Sequence, residues 1–128
     1  MNLRLLSGEY SVCHLNPLEA LPDWSLGPGF HSITRTDSEL SILCRMDRVP
    51  GGIQQEAGWR GIEVEGPLDF DQIGILAGLL KPLEVAAIPV FVLSTFLTDY
   101  IFIRSGDLTH ATEALRNAGH TLLTSGRD

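Results

Sequence analysis

The sequence has no long apolar run, few cysteines and too little positive charge to hold a polyanion, and each shortage removes a class of function. A membrane-spanning helix takes about 20 consecutive apolar residues, and no stretch of the 128-residue chain supplies them. The opening segment MNLRLLSGEY lacks the apolar core and small-residue cleavage site of a secretory signal, so the expectation is a cytoplasmic protein with no membrane partner. Two cysteines, Cys13 and Cys44, are expected to be buried and reduced rather than bridged, because an untargeted chain meets a reducing environment. Nine basic side chains against sixteen acidic ones leave a net charge of −7. No stretch concentrates Lys or Arg among aromatics, so phosphate backbones are repelled and no nucleic-acid partner is expected.

Catalytic patterns are missing as well. His14, His31, His110 and His120 are scattered, without the i, i+4 spacing or paired cysteines of a zinc site, so no metal ligand is assigned. No GxSxG string and no glycine-rich phosphate loop occurs, and neither catalytic residues nor a cofactor are expected. Trp24 and Trp59 read as packing residues at a domain seam, and Arg116 as a solvated helix residue.

What is present is a chain of 44% hydrophobic composition, enough for a compact body that buries roughly two thirds of its unfolded surface. The stretch from Trp59 onward reads as strand, helix, strand, strand, helix, strand. Trp59–Glu65 alternates, with Ile62 and Val64 on one face and Gly61, Glu63 and Glu65 on the other. Gly66 and Pro67 stop it. Phe70–Leu80 reads as a helix, apolar over most of its circumference, with Asp69 as its N-cap, Asp71 in its first turn and Pro82 at its end. Gly74 and Gly78 each cost it about 1 kcal/mol relative to Ala. Ile88–Phe96 and Tyr100–Arg104 are rich in β-branched and aromatic residues and form a hairpin whose two faces both call for cover. Asp107–Ala118 carries a one-sided stripe, Leu108, Ala111, Leu115 and Ala118, with Gly119 as C-cap before a last strand at His120–Leu123.

The first half repeats this pattern in shortened form. Arg4–Leu6 and Glu9–Leu15 are strand-like, and PLEALPDW allows one or two helical turns before Pro22 ends them. Phe30–Arg35 and Leu40–Asp47 are strands. The hairpins ITRTDSELSIL and STFLTDYIFI each carry a Thr and Asp pair, and duplication explains both. The expected division is a degenerate repeat over 1–50, a glycine-rich linker over 51–58 and a complete βαββαβ unit over 59–128.

The strings WRGIEVEGPLDF, GILAGLLKPL, PVFVLSTFLTDYIFI and ALRNAGH, with FHSITRTDSELSILC in the first half, resemble the ACT domain. The likeness is specifically to small tandem-ACT proteins related to the regulatory part of aspartate kinases and to CASTOR-type arginine sensors. The resemblance implies an α+β, ferredoxin-like fold: a complete ACT domain preceded by a degenerate ACT-like repeat. It also implies a non-catalytic regulatory protein that binds a free amino acid where ACT surfaces meet.

The ligand positions follow from that resemblance, and the residues fit them. The turn Gly66–Pro67–Leu68 before a helix offers backbone N–H groups at a positive dipole end, suited to a carboxylate. Gly66, Leu68, Asp69 and Phe70 take this role, although Asp69 as a plain cap and Gly66 as a plain turn stay open. Ser94, Thr95, Phe96, Thr98 and Asp99 form a second cluster, with Asp99 the carboxylate for a guanidinium; an ordinary turn at Thr98–Asp99 is the competing reading. Ser32, Ile33 and Thr34 supply backbone groups from the first half. The acidic candidates tilt the ligand towards arginine or lysine. A ligand-free module that dimerises and regulates a partner enzyme is the rival reading. An acylphosphatase-like enzyme would need an arginine in the Gly66–Leu68 loop, and none is there.

Overall fold

The computed structural model describes residues 1–66, 68 and 73–127, with side chains to Leu123. Its elements are mixed α and β, and they fall into two compact units: Gly8–Trp59, and Arg60–Asp128 together with Met1–Ser7.

The first unit is an antiparallel sheet of β2 (Tyr10–Leu15), β3 (Ser32–Arg35), β4 (Leu40–Arg45) and the start of β5 (Gln54–Val64), in the order β3-β4-β2-β5. Two 3-10 turns, Asp23–Leu26 and Met46–Arg48, stand where a full repeat has helices. Pro17, Pro22 and Pro28 leave the first of these no room to lengthen, because proline ends or kinks a helix. Trp24, from that turn, packs with Ile33, Val49 and Ile53 on the buried residues Cys13, Leu15, Leu40, Ile42 and Cys44.

The two cysteines are free thiols. Ser11 pairs with Cys44 and Cys13 with Ile42, which makes Cys13 and Cys44 diagonal neighbours on one face. A hydrogen bond between the thiols holds Cys13 below the ordinary thiol range, and the same bond, with burial, pushes Cys44 above it.

Gln54–Gly58, expected as linker, is strand. Ser11 Oγ donates to Gln55 Oε1 at 2.6 Å and to the Glu56 carbonyl at 3.2 Å, tying this polar segment to β2. The register slips between Tyr10, opposite Trp59, and Ser11, opposite Ala57. Gly58, at φ 85°, is the extra residue, so the slip is a glycine bulge.

The second unit follows the chain through the rest of β5, α1 (Ile75–Val85), β6 (Val90–Ser94), β7 (Asp99–Arg104), α2 (Leu108–Asn117) and β8 (Thr121–Arg127). This is the βαββαβ order, with one strand added. The residues read in the sequence as opening the first repeat form β1 (Asn2–Leu6), which lies between β5 and β8. It is antiparallel to β5, with Leu3 opposite Val64, and parallel to β8, with Leu3 opposite Leu122. Leu3 is fully buried with Ile62, Val64, Leu79, Leu83, Ile101, Ile103, Ala111 and Leu115. Burying each large aliphatic side chain stabilises the unit by about 1.5–3 kcal/mol. No helix of the described residues is long and apolar enough to cross a membrane.

Helix ends match and depart from the sequence in instructive ways. After α2, Gly119 N–H bonds the Arg116 carbonyl at 2.9 Å and His120 N–H bonds Leu115 at 3.1 Å, a Schellman closure around a glycine at φ 96°. Helix α1 closes in the same way at Ala87, φ 60°, with Ile88 N–H to the Leu83 carbonyl at 3.0 Å. At its other end α1 starts at Ile75, not Phe70, because Gly74 is left-handed at φ 83° and serves as N-cap. Asp69, Phe70 and Asp71 lie outside the described residues.

Helix α1 also continues one turn past the expected stop at Pro82. Proline has no N–H to give the carbonyl four residues back, here that of Gly78. His120 Nε2 lies 3.0 Å from this carbonyl. A carbonyl only accepts, so Nε2 carries the proton and Nδ1, 3.3 Å from the Met1 amino group, accepts. His120→Ala is therefore expected to cost about 1 kcal/mol in urea unfolding. In a Pro82→Ala background, where residue 82 supplies the missing donor, the cost should shrink, and a double-mutant cycle measures the difference.

The sheet face away from the helices carries aromatic residues. Phe102, fully buried, stacks on its cross-strand neighbour Phe91 with ring centroids 4.9 Å apart and planes at 8°. Gly61 makes room: a Cβ there would lie 2.8 Å from both Phe102 Cε2 and Leu6 Cδ1. Both faces of β7 are thus covered within one chain, since Ile101 and Ile103 lie in the helix-side core.

Candidate functional site

The loop after β5 and the tip of the β6–β7 hairpin, two stretches 30 residues apart in sequence, are clasped together. Leu68 N–H donates to the Leu97 carbonyl at 2.7 Å. Thr98 Oγ1 donates to the Val64 carbonyl at 2.6 Å, with Thr98 buried. Gly66 fits between them because it has no side chain: a Cβ would sit 3.0 Å from the Leu97 carbonyl oxygen and 3.1 Å from Thr98 Cβ.

The hairpin tip closes on itself as well. Thr95 N–H bonds the Thr98 carbonyl at 2.8 Å, and Thr95 Oγ1 donates to the same oxygen at 3.0 Å. The Thr95 hydroxyl is thus engaged within the turn, and the Thr98 hydroxyl on the Val64 carbonyl of the clasp. Asp99 is different. Its Oδ1 accepts from Ser94 Oγ at 2.6 Å, which orients the half-buried carboxylate and leaves Oδ2 without a hydrogen bond among the described residues. Phe96 and Leu97 project from the tip, 78% and 59% exposed.

Further carboxylates gather near the end of β5. Glu63 accepts from the Tyr100 hydroxyl at 3.2 Å. Glu65 pairs with Arg4 at 2.8 Å and accepts from Asn2 at 3.2 Å. The sequence reading missed this network because Arg4 and Asn2 reach it only through the insertion of β1 beside β5.

With α1 starting at Ile75, the N–H groups left over at its N-terminus are those of Ile75, Leu76 and Ala77, since Gly78 N–H already bonds the Gly74 carbonyl at 2.9 Å. The structure thus brings Gly66 and Leu68 to Leu97 and Thr98, and Ser94 to Asp99. Ser32 and Ile33 lie on β3 of the first unit, opposite Leu43 and Ile42, and Ile33 packs on that unit's core. A surface groove of about 490 Å³ between α1 and α2, lined by Lys81, Pro82, Val85, His110, Glu113 and Asn117 among others, contains none of the expected ligand residues. Among the described residues no group of three or more His, Cys, Asp or Glu is placed to hold a metal ion.

Comparison with known proteins agrees with this architecture. A family model described as an ACT domain matches residues 54–117, and a model described as an N-terminal domain matches residues 8–52. A crystal structure of an Agobacterium tumefaciens protein is 42% identical, covers 99% of this chain and 96% of its own, and superposes with a TM-score of 0.91. A Vibrio cholerae protein described as a possible transport protein is 22% identical over 91% of this chain and 88% of its own, with a TM-score of 0.74. The regulatory subunit of aspartate kinase from Thermus thermophilus, in its ligand-free form, shares the fold at 11% identity. It covers 91% of this chain and 96% of its own, with a TM-score of 0.60. The chain belongs to the ACT-domain family.

Proposed function

We propose that the protein is a non-catalytic regulatory protein of the cytoplasm. In this reading a free amino acid binds beside the clasp of the Gly66–Leu68 loop and the β6–β7 hairpin, against a second ACT-type surface. The observation that supports this reading is the clasp itself: Thr98 and Leu68 fix the glycine-bearing loop against the hairpin, and the residue after Thr98, Asp99, is a carboxylate oriented by Ser94. An amino acid needs both its charges satisfied when it leaves water. The first-turn N–H groups of α1 suit a carboxylate, and the Asp99 carboxylate favours a second positive charge, as on arginine or lysine.

Isothermal titration with the twenty amino acids tests this. Asp99→Ala is expected to weaken the best ligand at least tenfold, the loss of one charge-assisted hydrogen bond worth about 1.5–3 kcal/mol, while the melting temperature of the ligand-free protein holds. Absence of heat with all twenty would end the sensor reading.

The exposed apolar tip, Phe96 and Leu97, favours a second reading, a dimerising module that regulates a partner enzyme without a ligand. Its melting temperature would then follow protein concentration and ignore amino acids.

A further inference from the structure

We draw no further inference here: the strongest candidate, the surface groove between α1 and α2 bounded by Lys81, Val85, His110, Glu113 and Asn117, has exposed side chains for walls and no buried unpaired polar group aimed into it, and nothing among the described residues shows what covers it.

Discussion

Replacing Phe102 with alanine is expected to lower the unfolding free energy by about 3–5 kcal/mol, read as a fall in the urea midpoint at unchanged slope. Phe102 is fully buried, and its ring both stacks on Phe91 and fills the space that Gly61 leaves open. Truncation removes the stack and leaves a cavity that the flat, hydrogen-bonded strands around it cannot collapse to fill. A small domain has about 5–15 kcal/mol in total, so the change consumes a large share of it. Phe91→Ala should cost less, because Phe91 is only partly buried. The pair Phe102 and Gly61 offers a sharper check. Gly61→Ala should destabilise the parent strongly, since its Cβ would meet Phe102 Cε2 at 2.8 Å, and less so once the ring is gone. Equal costs in both backgrounds would mean that the ring does not occupy that space.

Thr98→Val should have the next largest effect, about 1–3 kcal/mol, with a consequence beyond stability. Valine keeps the shape and removes the hydroxyl, so the buried Val64 carbonyl loses its 2.6 Å partner. The loop then stays tied to the hairpin only through Leu68 N–H and the Leu97 carbonyl. Amide exchange at Leu68 should quicken, and amino-acid affinity should fall together with stability. Thr98→Ser, which keeps the donor, should restore most of both. Asp99→Ala is expected to separate the two quantities, lowering affinity alone. A Thr98→Val protein with unchanged Leu68 exchange would show that the hydroxyl does not hold the loop.

Local signals carried much of this fold, and the misses share a cause. The stripe Ala111 and Leu115 with Gly119 placed α2, and Ile101–Ile103 placed β7, because each rests on neighbours in sequence. The extension of α1 past Pro82 rests on His120, whose side chain arrives from far along the chain. The strand at Gln54–Gly58 is polar and ends on a glycine, and it forms by pairing with β2 along Ser11–His14, far away in sequence, with the Ser11 hydroxyl as an added tie. At the candidate site, Gly66 and the run of hydroxyls from Ser94 to Thr98 stood out by composition. Their division of labour did not: Thr98 is spent on the Val64 carbonyl, whereas Asp99 is merely oriented by Ser94. Hydrogen bonds between distant stretches leave no periodic trace in a sequence.

The position of β1 governs how the second unit can assemble. Asn2 pairs with Thr121, so β8 reaches its sheet only by finding a strand from the other end of the chain, and everything between them must first fold or be looped out. Closing so wide a circuit is a slow, late step. The Gly8–Trp59 unit, by contrast, can form from contiguous residues, an insert that matures inside a host still waiting for its last edge.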